Sequence, residues 1–252
     1  MKKLVLALLV LTVTSLSLAR PLRNIEQSGE LIFANARDFA PFFYMEQGQL
    51  KGFEIDFGNA LAKRLGLKPV WRNVAFDSLF VKLNEQKIDV ALASHTITPA
   101  REKLVDFVAP HYCTGTVIVA LSGQALDPSG LTGKTVSVVQ STTFAQYARS
   151  IVGIKKVLPF ATAELAFKAL LSKKVDAYIT DRLAVLALAK QYPTPKVNLS
   201  PLLAEDRIAM AVKKGNTALL ERLSATVQSM VKDGSIDRLA IKYFSSAKVT
   251  CP

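Results

Sequence analysis

The sequence predicts a two-lobed α/β fold with mostly parallel sheets. Short apolar runs alternate with helical patterns in the order β-α-β-α-β, which is typical of a parallel sheet. The same alternation starts again near Val117. The last helices have no strands of their own to pack on, so we expect them to return to the first lobe. The chain must then cross between the lobes twice, and we expect these connections at residues 111–115 and 204–208, with a cleft between the lobes.

The first 19 residues have the pattern of a secretory signal peptide. Lys2 and Lys3 precede the apolar run 4–16, and Ala19 ends a small-residue cleavage site. No cysteine stands directly after the apolar run, so we expect no lipid anchor. No later segment is apolar enough to span a bilayer. We therefore expect a protein exported to the periplasm, with lobe 1 formed by residues 20–112 plus 208–252 and lobe 2 by residues 113–207.

In the first lobe, strands are predicted at residues 31–34 and 67–74, with a hairpin turn at Gly48. Helical periodicity runs from residue 53 to 65 and stops at Gly66, which suits a helix C-terminus. Asp77 is predicted to cap the next helix, which extends to Gln86.

In the second lobe, strands are predicted at residues 135–139, 157–160 and 177–180. Each is followed by a hydroxyl or carboxylate that starts a helix: Thr142 or Thr143, then Thr162, then Asp181. A long helix is predicted over 217–232, broken at Gly234, and a final amphipathic turn runs through Tyr243.

The segment 90–107 has the clearest functional pattern. An apolar run of four residues becomes polar at Ser94 and Thr96, and Thr98 followed by proline is a helix-start signal. Arg101 lies in the first turn of that helix. Hydroxyls, free backbone N–H groups and a guanidinium together suit a carboxylate, which arginine can hold bidentately. The alternative is a capped helix with a surface arginine.

Composition excludes several classes of function. The formal charge is +12, but lysine and arginine are scattered without a long basic run, so nucleic acid is not expected as a partner. There is no cluster of metal ligands, no phosphate-binding glycine loop and no nucleophile motif, so we expect no catalytic residue, metal or cofactor. His95 is expected to point away from the cleft, and His111 to be structural. Cys113 and Cys251 either form a disulfide or stay separate, with Cys113 buried.

Motifs along nearly the whole mature chain resemble those of the periplasmic solute-binding proteins that serve ABC importers of polar amino acids. This family includes lysine/arginine/ornithine-, histidine- and glutamine-binding proteins. The resemblance rests on the order and spacing of these motifs: Ser94-x-Thr96-x-Thr98-x-x-Arg101, Phe39-Ala40-Pro41-Phe42, Gly52-Phe53-Glu54-Ile55-Asp56, Gln140-Ser141-Thr142-Thr143, Val175-Asp176-Ala177 and Asp181. It implies the type II periplasmic-binding-protein fold, with two strands as a hinge.

The resemblance also implies how an amino acid is held. Its carboxylate would meet Arg101 and Thr96, with N–H groups around Ser94 and Thr143. Its ammonium would meet Asp181 and the backbone carbonyl of Ala93. For Thr143 and Asp181 the alternative is that each only caps a helix.

The side-chain pocket departs from the family pattern. Phe39 and Phe76 resemble its aromatic walls, but Ala36 stands where several members carry an ionisable residue, and Phe144 replaces a small or polar one. Gln140 and Thr142 remain as neutral polar groups. We therefore expect a neutral amino acid, unless the neighbouring Arg37 or Asp38 turns inward and selects a charged one.

The resulting hypothesis is a binding protein that captures an L-amino acid and delivers it to the membrane subunits of an ABC permease. It is expected to act as a monomer, without covalent chemistry. The alternatives are a periplasmic enzyme on the same scaffold, similar to cyclohexadienyl dehydratase, and the sensor domain of a receptor.

Overall fold

The computed structural model of the chain describes residues 20–122, 127–244 and 249–251. The predicted signal peptide, residues 1–19, lies outside the described residues. Up to residue 107 the elements are, in chain order, α1 (Leu22–Ser28), β1 (Glu30–Asn35), β2 (Asp38–Phe39), β3 (Phe43–Glu46), β4 (Gln49–Lys51), α2 (Phe53–Arg64), β5 (Lys68–Asn73), a 3-10 turn (Phe76–Ser78), α3 (Leu79–Asn84), β6 (Val90–Ala91), α4 (Pro99–Glu102) and β7 (Val105–Phe107).

The remaining elements complete a second α/β unit and then return to the first. They are β8 (Tyr112–Leu121), a 3-10 turn (Pro128–Leu131), β9 (Thr135–Val139), α5 (Thr143–Ser150), β10 (Lys156–Phe160), α6 (Ala163–Leu171), β11 (Ala177–Asp181), α7 (Arg182–Gln191), β12 (Val197–Leu199), β13 (Ala204–Ile208), β14 (Ala211–Lys213), α8 (Thr217–Lys232) and α9 (Ser235–Phe244).

These strands form two larger sheets and one small one. The first sheet has the order β5-β1-β6-β14-β7, in which β5, β1 and β6 are parallel and β14 runs antiparallel to both of its neighbours, β6 and β7. The second has the order β10-β9-β11-β8-β12, with β13 also paired to β8, and its first three strands are parallel. The two-lobed α/β fold is confirmed, with mixed sheets built on parallel centres.

The C-terminal helices pack on the first sheet, as the sequence predicts. Leu223 and Met230 of α8 and Ile236 of α9 are fully buried in the same core as Phe33 of β1. The second sheet has its own apolar contacts on both faces, which are separate from that core. The two lobes are joined by the crossing segments, and they also touch where Leu183 and Ala184 of α7 pack into the core of the first sheet.

The crossing segments are β8 and β13, which run antiparallel from the pair Tyr112 and Ile208 to the pair Thr116 and Ala204. At Gly115 the two backbones approach so closely that a Cβ atom would lie 2.5 Å from the carbonyl oxygen of Ala204. Only glycine fits such a contact. The predicted hinge at residues 111–115 and 204–208 falls on this pair, and its movement stays a prediction.

Most predicted helix starts are confirmed. The hydroxyls of Thr98, Thr142 and Thr162 each accept a hydrogen bond from the backbone N–H three residues later. The prediction that Asp77 caps α3 is wrong. The chain enters a 3-10 turn at Phe76, so Asp77 lies inside that turn, and the first N–H groups of α3 receive no side-chain cap.

Cys113 and Cys251 form a disulfide, with their Cα atoms 4.9 Å apart. The end of the chain runs beside β8, where Cys113 N–H donates to the carbonyl of Val249 at 2.7 Å. Asp237 of α9 accepts hydrogen bonds from the N–H groups of Val249 and Thr250 and from the Thr250 hydroxyl. The start of β8 is thereby attached to the C-terminal helix.

Replacing both cysteines, as Cys113→Ser with Cys251→Ser, is expected to lower the free energy of unfolding by about 2–5 kcal/mol, because the unfolded chain is no longer held in a closed loop. Urea unfolding of the oxidised wild type and the double variant measures the difference. A reductant should bring the wild type to the midpoint of the variant and leave the variant unchanged. Equal midpoints for oxidised and reduced wild type would contradict the expectation.

Candidate functional site

A cavity of about 400 Å³ lies between the two larger sheets. It is lined by loops that follow the parallel strands of both sheets, as expected for an α/β protein, in which ligands bind beyond the carboxyl ends of the strands. The lining residues are Ala36, Asp38, Phe39, Phe43, Asn73, Ala75, Phe76, Asp77, Ala93, Ser94, Thr96, Arg101, Val139, Gln140, Thr142, Thr143, Phe144, Ala161, Thr162, Ala163 and Thr180.

Eleven of the twelve residues predicted for the site line this cavity. They are Ala36, Phe39, Phe76, Ala93, Ser94, Thr96, Arg101, Gln140, Thr142, Thr143 and Phe144. The exception is Asp181, whose neighbour Thr180 lines the cavity while Asp181 itself is buried beside it. The roles of these residues in binding stay a prediction.

Arg101 is the one cation among the residues that line the cavity. Its guanidinium donates to the carbonyl oxygen of Thr96 at 2.9 Å and lies 5.8 Å from the centre of the Phe76 ring. Burial lowers the pKa of Arg101 to about 10, and the nearby Asp206 opposes that shift. None of the ion pairs among the described residues includes Arg101, so the charge is held in place without a direct partner.

Thr96 and Thr143 meet across the cavity from opposite lobes, with their hydroxyl oxygens 3.5 Å apart. Thr142, not Thr143, caps α5, since its hydroxyl accepts from Ala145 N–H at 3.2 Å. The alternative for Thr143 is therefore excluded, and its hydroxyl is not used by the helix. Thr143 also begins α5, so the first N–H groups of that helix lie at the cavity wall.

Ser94 differs from the expectation that its N–H faces the ligand. Its backbone N–H and its hydroxyl both donate to the carboxylate of Glu54, at 2.9 and 3.1 Å. Glu54 is fully buried and also accepts from His111 Nε2 at 3.0 Å. Both donors of Ser94 are therefore used within the protein, and only its oxygens remain to accept a hydrogen bond from a ligand.

Asp181 caps α7, because its carboxylate accepts from Ala184 N–H at 2.8 Å. Burial, with a contribution from Asp206, raises the pKa of Asp181 to about 7, against the lowering by the Ala184 N–H and the Thr114 hydroxyl. Asp206, on β13, accepts from the Thr116 hydroxyl at 3.2 Å, and burial raises its pKa as well. Two buried carboxylates thus lie at the junction of the lobes, and Asp206 is the one that lies near Arg101.

The aromatic residues that line the cavity pack against different neighbours. Phe76 is stacked on His95 with ring centres 4.7 Å apart, and burial lowers the pKa of His95 well below its ordinary value, so the ring is neutral. His95 does not line the cavity, as expected. Phe39 is stacked on Phe42 at 5.1 Å, and Phe144 packs against the second sheet.

The sequence does not decide whether Arg37 or Asp38 turns into the cavity, and in the structure the two side chains take opposite directions. Arg37 has a left-handed backbone with φ 60°, and its guanidinium donates to the carbonyl of Trp71 at 3.2 Å, away from the cavity. Asp38 lines the cavity together with Asp77, and partial burial raises the pKa of its carboxyl. None of the ion pairs among the described residues includes Asp38 or Asp77.

Sequence reasoning missed Glu54, Asp206 and Asp77 as residues of this region. Glu54 lies in the motif Gly52-Phe53-Glu54-Ile55-Asp56, and a carboxylate in an otherwise apolar helix face is a signal that could have marked it as buried and bonded. Asp206 has no such signal, because its partners are distant in sequence.

Among the described residues there is no group of three or more potential metal ligands. A search of the same residues finds no helix with the length and apolar character that a membrane span requires.

Comparison with known proteins places this cavity in a familiar scaffold. Residues 31–246 match the model of the bacterial extracellular solute-binding proteins, family 3. The L-cystine-binding protein TcyJ of Escherichia coli strain K12 is 28% identical, over 89% of this chain and 86% of that protein. ABC transporter arginine-binding protein 1 of the same organism is 28% identical over 97% of this chain and 99% of its own length.

Solved structures agree in fold and length. An ancestral arginine-binding protein bound to arginine is 35% identical, with a TM-score of 0.79 over 86% of this chain and 98% of that one. The ancestral amino acid-binding protein AncCDT-1, described as a precursor of cyclohexadienyl dehydratase, is 29% identical, with a TM-score of 0.82 over 88% of this chain and 98% of its own. The chain belongs to the bacterial extracellular solute-binding proteins, family 3.

Proposed function

We propose that this protein captures a free L-amino acid in the cleft and delivers it to an ABC-type permease. The observation that carries the proposal is Arg101, a partly buried guanidinium on the cavity wall without an ion-pair partner in the described chain. A desolvated cation of this kind favours an anion that fills its vacant hydrogen-bonding positions. The hydroxyls of Thr96 and Thr143 lie at the same wall and can donate to a carboxylate.

The ammonium of the ligand would meet the opposite charge. Ala93 and Ser94 line the cavity, where their backbone carbonyls could accept from an ammonium, and Asp181 and Asp206 are buried carboxylates at the junction of the lobes. A zwitterion buried between Arg101 and this acidic group has both ends neutralised, which is the condition for burying it at all. Contacts from both lobes would then make closure depend on the ligand.

The next question is whether the ligand has a neutral or a charged side chain. The sequence alone favours a neutral one, but the inward position of Asp38 favours a cation. Asp38 and Asp77 add two carboxylates to the cavity, and Arg37 is turned away. A cationic side chain would pair with Asp38 and stack on Phe39 or Phe144, whereas an anionic one would be repelled. We therefore propose a basic amino acid, with L-arginine as the first candidate.

Export, the permease and the absence of catalysis belong to the same proposal. The family is extracellular by description, and the relatives reported above are named for binding. We propose a periplasmic monomer that docks on the membrane subunits of its importer. The dehydratase-like alternative would use a free acid of the cavity wall, such as Asp38 or Asp77, so release of the ligand chemically unchanged distinguishes the two functions.

The first test is binding itself. Wild-type protein, stripped of ligand by unfolding and refolding, should bind L-arginine by isothermal titration and release it chemically unchanged. Arg101→Ala should raise Kd at least about 100-fold, because one partner of a buried charge pair is lost. Arg149→Ala, which removes an exposed arginine of α5, is the control and should bind normally. Wild-type affinity in Arg101→Ala would remove Arg101 from the site, and a chemically altered ligand would support an enzyme.

The second test uses pH. The pKa of Asp181 is about 7 in the free protein, above its ordinary value, so a proton occupies the carboxyl below that pH. An ammonium must displace this proton, so Kd should rise as pH falls below about 7, by up to about tenfold per unit. Asp181→Asn should weaken binding at pH 8 and flatten the profile, while unfolding stays similar since asparagine also caps helices. An unchanged slope in this variant would assign the titration elsewhere, with Asp206 as the next group to change.

The third test is competition. L-arginine should displace L-glutamine, L-cystine and L-glutamate at equal concentration, and Asp38→Asn should reduce its preference over L-glutamine by about tenfold or more, as expected for a charged hydrogen bond. Glu85→Gln, which removes an exposed carboxylate after α3, is the control. A wild type that prefers L-glutamine would restore the neutral pocket expected from sequence.

A further inference from the structure

We propose that Glu54 is a positioning residue that fixes which end of the ligand the cleft accepts at Ser94. It acts through the hydroxyl of Ser94, which it holds as a hydrogen-bond acceptor toward the cavity. This inference rests on the proposed function, that the cleft binds an amino acid. It adds a role for a carboxylate that has no contact with the cavity.

The first step is the direction of the hydrogen bonds. The carboxylate oxygens of Glu54 accept, so both groups of Ser94 that contact Glu54 are donors. They are the backbone N–H at 2.9 Å and the hydroxyl at 3.1 Å, both to the same oxygen, Oε2. The one hydroxyl hydrogen of Ser94 is thereby used. The oxygen keeps two acceptor positions and no donor.

The second step is what remains on the cavity side. Ser94 lines the cavity, and the groups that it has left for a ligand are its hydroxyl oxygen and its carbonyl, which are both acceptors. The buried Tyr112 hydroxyl makes no hydrogen bond in the described chain, so it leaves these acceptors available. A ligand group at Ser94 must therefore donate, as an ammonium does and a carboxylate does not.

The third step is why Glu54 can hold this arrangement. Its carboxylate has no solvent exposure and is fixed on its far side by His111 Nε2 at 3.0 Å, while the His111 ring is stacked on Phe57 at 4.5 Å. Ser94 itself has a left-handed backbone, φ 51°, which is costly for a residue with a side chain. The two hydrogen bonds that Ser94 donates to this buried carboxylate offset that cost and keep the residue in this conformation.

The decisive variant is Glu54→Gln, which keeps the shape but brings a donor. The amide NH₂ of glutamine can donate to the Ser94 oxygen, so the serine hydroxyl is released to donate into the cavity, toward the ligand ammonium. Kd for L-arginine should rise about 10–100-fold, as for a lost hydrogen bond to a charged group. The 2-hydroxy acid analogue of L-arginine has a hydroxyl in place of the ammonium and can accept from Ser94. Its Kd should change less than about threefold, because neutral hydrogen bonds contribute little net free energy.

The readout is the ratio of the two dissociation constants, measured by titration on the full chain. A residue with only a structural role would weaken both ligands by the same factor and leave the ratio unchanged, which would overturn the proposal. Glu46→Gln is the matched control, because it removes a carboxylate of an exposed pair with Lys51 in the same lobe. It should leave both constants unchanged.

A second variant keeps the test open if Glu54→Gln does not fold. Ser94→Ala removes the hydroxyl but leaves Glu54 and the backbone N–H in place. It should also weaken L-arginine more than the 2-hydroxy analogue, and an unchanged ratio would count against the proposal. A wild type that binds no amino acid would instead reject the proposed function, which is a different result from an equal loss of both ligands.

Discussion

The antiparallel pairing of β8 with β13 is the constraint on which the rest of the structure depends. These strands are continuous with the second sheet, and their ends lead directly into loops of the first. The register of this pair determines how the parallel strands of the two sheets face each other at their carboxyl ends. It therefore determines whether Thr96 and Thr143 come into contact. Gly115 makes the pairing possible, since any larger residue would push the two backbones apart.

Local signals explain why so much of the fold could be predicted. Thr98, Thr142 and Thr162 bond to backbone groups three residues away, so sequence spacing contains all the information needed to place those helices. Asp77 has the same sequence pattern as these helix caps. The chain enters a 3-10 turn one residue earlier, at Phe76, so Asp77 lines the cavity and does not cap α3. The difference is a matter of backbone direction at one position, which composition does not encode.

The parts of the site that sequence could not place depend on contacts distant along the chain. Glu54, Ser94 and His111 come from a helix, a loop and a crossing segment, and only the packed fold brings them together. The direction of Arg37 against Asp38 was open for the same reason, because it follows from a left-handed residue after β1.

The disulfide between Cys113 and Cys251 spans 138 residues, which include the whole second sheet and the two helices that return to the first. The disulfide closes residues 113–251 into a covalent ring, and the segment before residue 113 is linear. A single proteolytic cut anywhere inside the ring opens it without releasing a fragment. A molecule that is cut once at an exposed loop of the ring would therefore keep the two lobes covalently attached to one another.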